Sequence, residues 1–231
     1  MDGSSYAYYM VLNRAARKEA DTRLGQLRRS VSIHVFTHRF EDSLSREVRQ
    51  LAEELAEVSS RVSVEISEAT ESGDLLRKFR LDTIPALVLT TKDAPEIRIY
   101  GLPLVYGFDL LLDLLISLGS LAEPKPELVS FLQSHSDRAP RAPVSIDLLV
   151  SRYQPASVEA AAVLWRLIKA EKAGFGTEHC IASIRITEDF PQWIHRSDAS
   201  NLPCLHLESR ETLSWPFSDE LIAEKALFGH K

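Results

Sequence analysis

Thr83-Ile84-Pro85-Ala86-Leu87-Val88 places a proline directly ahead of an apolar, β-rich run, and Asn201-Leu202-Pro203-Cys204-Leu205-His206 repeats the arrangement later in the chain. Proline has no N–H to give a sheet ladder, so inside a sheet it is confined to strand starts, edges and bulges. Each stretch therefore reads as the entry to a strand. Working outward, the same order of elements surrounds both. A β-rich run at Val31–Phe36 precedes the first proline. A helix from Ser43 to about Ser59 follows, with Val48, Leu51, Leu55 and Val58 on one face, then a period-two strand at 61–66 and a short helix near 74–79. Strands at 86–91 and 97–100 come next, joined by a Lys92-Asp93-Ala94-Pro95 turn, and a helix over 108–118 closes the unit. A further helix is expected to open the chain, from Tyr8 to Arg28.

The second half runs strand 144–150, helix 155–172, strand 181–186, a short helix near 191–195, strand 204–208, a hairpin partner at 212–215 and a last helix over 218–228. The order β-α-β-α-β-β-α thus occurs twice. Two copies of one α/β unit fit this better than one large sheet. The expected domains are 1–122 and 123–231. Pro124, Pro126, Pro140 and Pro143 bracket the joint, with a short helix at 127–134 between them.

The 231 residues carry 27 Lys and Arg against 33 Asp and Glu, a formal net charge of -6. That balance disfavours nucleic acid as a partner, because phosphate binding needs a basic surface. The most apolar stretch, Leu102 to Leu118, contains Pro103, Gly107, Asp109 and Asp113, so no membrane span is expected. The start, Met1-Asp2-Gly3-Ser4-Ser5-Tyr6, lacks a basic region followed by an apolar core, and a cytoplasmic location is expected. Only Cys180 and Cys204 offer thiols, too few for a disulfide framework or a zinc site. No phosphate-cradling glycine pattern, hydrolase elbow or metal-ligand spacing occurs, so no cofactor and no metal are expected.

The stretch Lys78-Phe79-Arg80-Leu81-Asp82-Thr83-Ile84-Pro85, continued by Arg98-Ile99-Tyr100-Gly101-Leu102-Pro103, resembles the two-domain protein disulfide oxidoreductases, the glutaredoxin-like proteins of tandem thioredoxin fold. Asp189-Phe190-Pro191-Gln192-Trp193 is similar to an acidic-aromatic segment of the same family, and the resemblance covers nearly the whole chain. It implies an α/β fold of tandem thioredoxin-like domains, each a four-stranded mixed sheet flanked by helices. It also implies that Pro85 and Pro203 are cis. The family's two redox Cys-x-x-Cys pairs fall on Asp42 and Ser45, and on Gln154 and Ser157.

That departure decides the expected chemistry. Thiol–disulfide exchange needs an attacking thiolate and a resolving thiol. Serine, aspartate and glutamine supply neither. Asp42 instead suits the cap of the following helix, and Pro155 suits a first helical turn. A second reading makes His38 and Asp42 an acid/base pair or a metal site, although no third ligand is evident. In the family fold the backbone beside the cis-proline can pair with an extended peptide. Phe40, Ile84, Pro85, Tyr153, Leu202 and Pro203 are the groove candidates, with Trp193 beside them. The resulting expectation is a redox-inactive protein that binds an unidentified protein or peptide as a chaperone-like, scaffolding or regulatory subunit. The alternative is a thiol–disulfide oxidoreductase or redox sensor using the single thiol Cys204. A Cys180–Cys204 disulfide is not expected, because the fold sets a strand between them. The helix over 108–118 has polar residues only at Asp109, Asp113 and Ser117, which predicts cover on two sides, by the other half or by a homodimer partner. The run Tyr6-Ala7-Tyr8-Tyr9-Met10-Val11-Leu12 is a further candidate for that cover, or for partner binding.

Overall fold

The computed structural model describes residues 10–38, 42–68, 73–92, 94–177, 179–197, 201–208 and 211–229. The first half comprises α1 (Arg14–Leu24), β1 (Val31–Thr37), α2 (Ser43–Val58), β2 (Val62–Glu68), α3 (Gly73–Lys78), β3 (Ala86–Thr90), β4 (Ile97–Tyr100) and α4 (Tyr106–Gly119). After α5 (Pro126–Ser134), the second half comprises β5 (Val144–Val150), α6 (Ala156–Phe175), β6 (Cys180–Ile186), α7 (Gln192–Ser197), β7 (Cys204–Leu207), β8 (Thr212–Ser214) and α8 (Asp219–Ile222). The opening helix is shorter than the expected one from Tyr8 to Arg28. Asn13 caps it by accepting from the Ala16 amide at 2.9 Å, and the chain turns out of it at Gly25.

Each half forms a four-stranded mixed sheet, β2-β1-β3-β4 and β6-β5-β7-β8. The two units are not separate sheets, however. β4 and β6 pair in parallel, Arg98 with Ser183 and Tyr100 with Arg185, so the halves share one eight-stranded sheet. Strand alternation shows that each strand buries a face, but not which strand lies beside it.

Alternate residues send the two sheet faces to different surroundings. Ile33, Val35, Leu87, Ile99, Ile146 and Ile184 join the main core with α1, α2, α4, α5, α6 and α8. Phe36 and Val88 pack with Phe79 of the turn after α3, and Ala86 and Tyr100 pack with Phe190 just before α7. One face therefore carries the long helices together with α8, and the other carries the short α3 and α7. The chain is anchored on α2 by Glu54, whose carboxylate accepts from the Val11 and Leu12 amides at 2.8 and 2.9 Å.

Helix α4 is covered on two sides. Leu110, Leu111, Leu112, Leu114 and Leu115 are all buried, and the helix packs against α1 of its own half and α6 of the other. Its acidic stripe is held by one side chain: Arg23 of α1 donates to Asp109 at 2.9 Å and to Asp113 at 2.5 Å. No helix among the described residues is long and apolar enough to cross a membrane.

Candidate functional site

Strands β1, β4, β5 and β6 run parallel, and β3 and β7 run against them. The C-terminal ends of β1, β4, β5 and β6 and the starts of β3 and β7 therefore lie along one margin of the sheet. Both sulfur-free loops and both proline junctions sit there. The Ile84–Pro85 and Leu202–Pro203 peptide bonds are cis, as is Trp215–Pro216. Four strand spacings separate β1 from β5, which sets the two loops about 19 Å apart.

At the first loop Asp42 caps α2, its Oδ1 accepting from the Ser45 amide at 2.7 Å. That hydrogen bond, helped by nearby His38 and Arg46, outweighs partial desolvation and holds the carboxyl below its ordinary range. Ser45 is fully buried. Phe40 lies outside the described residues. Among the described residues no three His, Cys, Asp or Glu side chains gather closely enough to hold a metal ion.

At the second loop Glu188 acts as a staple. Its carboxylate accepts from the Ser151 hydroxyl and, at 3.2 Å, from the Arg152 amide. Buried Ser157 donates to the Ser151 carbonyl at 2.8 Å. Pro155 has helical dihedrals of -61° and -32° and opens the first turn of α6 without needing an N–H partner. Tyr153 projects from this loop with 64 % exposure. Tyr106 of the first half donates its amide to the Arg152 carbonyl at 3.1 Å, bringing exposed Tyr106 and Val105 alongside.

The groove candidates Ile84 and Leu202 are both half-buried, and the prolines that follow them are buried. The two junctions are built alike: the Gly101 amide reaches the Pro85 carbonyl at 3.3 Å and the Trp215 amide reaches the Pro203 carbonyl at 3.2 Å. The backbone N–H and C=O of Ile84 and of Leu202 have no hydrogen-bond partner among the described residues.

Neither thiol is open. Cys204 is 1 % exposed and burial pushes its thiol up to about 11. Burial and then the neighbouring Glu171 carboxylate push Cys180 well above the ordinary thiol range. β5 lies between β6 and β7, which keeps the two cysteines apart.

Trp193, which the sequence sets beside the groove candidates, stacks on a cation. It lies over the guanidinium of Arg185, 3.7 Å from ring centre to charge, and Tyr100 flanks the same group at 4.3 Å. Arg185 is a residue that the sequence reading missed. It binds both oxygens of Asp82 at 3.1 and 2.8 Å, and Asp147 through Nε at 2.8 Å. Asp82 stands just ahead of Pro85, so this cluster ties the first junction to the second half. Desolvation raises the Asp147 carboxyl even against the Arg185 charge. A signal existed: Arg98, Asp147 and Arg185 are charges inside otherwise apolar strands, where an unpaired charge is costly.

The seam has a second lock at the same margin. Arg152 pairs with Asp189, and Asp189 Oδ2 also accepts from the Leu102 amide of the other half at 2.7 Å. The two stretches read as marks of resemblance, Tyr100-Gly101-Leu102-Pro103 and Asp189-Phe190-Pro191-Gln192-Trp193, thus meet each other across the seam.

No known protein family and no curated protein matches the chain in sequence. Solved structures match it in shape. A protein disulfide oxidoreductase from Aeropyrum pernix superposes with a TM-score of 0.80 at 14% identity, covering 95% of this chain and 95% of that one. The NTD_N/C domain of the alkylhydroperoxide reductase AhpF from Enterococcus faecalis gives 0.76 at 15% identity, covering 93% and 99%. The fold is a tandem thioredoxin-like one.

Proposed function

We propose that this tandem thioredoxin-like chain is redox-inactive and works by binding an extended protein or peptide segment along the shared sheet margin, as a chaperone-like, scaffolding or regulatory protein. The observation that carries the reading is the pair of open backbone sites at Ile84 and Leu202, beside two loops that hold no sulfur. An extended chain can satisfy such groups by strand addition, with side chains supplying selectivity. Exposed Val105, Tyr106 and Tyr153 offer apolar contact between the two sites. Val105 is held there at φ 56°, a conformation disfavoured for a β-branched residue.

The alternative, redox work by Cys204, fits less well. A thiol at about 11 is almost wholly protonated at neutral pH, and 1 % exposure leaves no room for a partner sulfur. No cofactor enters this proposal. A cytoplasmic location and the exclusion of nucleic acid and membrane as partners belong to it, resting on the free thiols and the acidic balance.

Hydrogen exchange with a permanently unfolded, carboxymethylated protein as ligand tests the reading. Slowed exchange at the Ile84 and Leu202 amides, with affinity lowered about fivefold by Tyr153→Ala, supports it. Unchanged exchange at both amides overturns it. Insulin reduction that disappears in Cys204→Ser would establish the alternative.

A further inference from the structure

We propose that the pocket formed by the two halves and the chain joining them binds a small multivalent oxyanion. Arg29, just before β1, and Pro95, just before β4, both line it. The pocket therefore lies at the starts of those strands, on the margin of the sheet opposite the sulfur-free loops and the proposed peptide site. It holds about 710 Å³ of empty space, some of it open to solvent. Three cations line it, Arg29 from the first half and Lys169 and Lys172 from α6. Among the described residues only the carboxylate of Glu123 stands against them. A chain of net charge -6 thus gathers positive charge in one concave place.

Lys169 and Lys172 are half-buried and three residues apart, so they are neighbours on one helix face, where like charges repel. Lys172 stands in the last turn of α6, where a cation suits the helix dipole. Lys169 lies a turn earlier and Arg29 comes from the other half, so that role accounts for one cation of the three. The joining chain holds Lys169 in place: its Nζ donates to the Ala122 carbonyl at 2.6 Å. An ammonium has three donors, and that carbonyl takes one. Burial pulls the Lys169 ammonium below the ordinary lysine range, and Glu123 offsets only part of this. A bound anion offsets both the burial and the repulsion between the lysines. The carboxyl end of α4, which would otherwise repel it, is satisfied within the chain. The Gly119 carbonyl accepts from the Arg28 and Arg29 amides, both at 3.0 Å, and the Ser117 carbonyl from Ser120 Oγ at 3.0 Å. Cations converging from separate segments select an ion with several oxygens over a single-centred one such as chloride. Pockets at the meeting of two domains are a usual place for small ligands.

Pyrophosphate and citrate, titrated separately into the full-length chain at constant ionic strength, test this. The readout is the backbone amide resonances of Ala122 and Lys169. Saturable shifts at both are expected, and chloride at the same ionic strength should give none. Lys169→Gln and Arg29→Gln should each weaken binding about tenfold. Arg29 is exposed, so its replacement tests the site even where Lys169→Gln disturbs the joining chain. Arg14→Gln, which removes an exposed cation outside the pocket, should change affinity less than about twofold. Tighter binding of pyrophosphate assigns a phosphoryl ligand to the site, and tighter binding of citrate a carboxylate one. Shifts that fail to saturate with either anion overturn the proposal. So does equal weakening by Arg14→Gln and Lys169→Gln, the result expected of a general charge effect.

Discussion

Asp189 Oδ2 accepts a hydrogen bond from the Leu102 amide in the space that a side chain on Gly101 would fill. Gly101 has φ +94°, and a Cβ there would lie 2.6 Å from that oxygen and 3.0 Å from Ile186 Cβ. The glycine is needed twice over, for its backbone angle and for the close approach of the two halves. Gly101→Ala is expected to cost about 2–3 kcal/mol. Urea unfolding checks this, and a midpoint equal to wild type would refute it.

Arg185 is expected to resist its nominally conservative replacement. Lysine cannot hold both Asp82 oxygens and Asp147 while stacked between Tyr100 and Trp193. Arg185→Lys should lower stability by about 2 kcal/mol, and Arg185→Ala, which strands a carboxylate in the interior, by about 3–5 kcal/mol. Thermal or denaturant melts measure both. Lysine matching arginine would show that the planar, stacked geometry contributes nothing.

Asp42 links the first loop to acid stability. Its folded pKa lies below its unfolded value, chiefly through the Ser45 amide. The cap therefore contributes fully above the unfolded pKa near 4 and is lost as pH falls through the lower folded value. Asp42→Ala should cost about 1 kcal/mol at pH 7, and the gap to wild type should narrow as pH falls below the unfolded value of about 4. A gap that persists undiminished at pH 2 would contradict this.

Both thiols should be silent in the folded protein. With Cys204 at about 11, roughly one molecule in ten thousand carries its thiolate at pH 7. Ellman's reagent is expected to titrate neither cysteine in native buffer and both in guanidinium. Rapid native labelling of one thiol would reopen the case for sulfur chemistry.

The repeat was legible because each of its elements announces itself locally. Pro85 and Pro203 open strands, the apolar face of α2 keeps helical spacing, and Asp42 is a capping residue placed where a helix begins. The near-continuous apolar surface of α4 likewise gave away its two-sided burial. The contacts between halves were hidden for the opposite reason. Asp82 and Arg185 are far apart in sequence and meet only because β4 pairs with β6, and that choice of neighbour leaves no periodic trace in either strand.

Hydrogen bonding between β4 and β6 has a consequence for how the molecule can be divided. Each half is the cover for the other's open strand. Cleaved near residue 122, either fragment would present a bare, mostly apolar edge of four to seven residues, a template for any other chain with unpaired amides. The duplication has thus become irreversible in a physical sense: the twins conceal each other's capacity for self-recognition, and neither can be retired without exposing it.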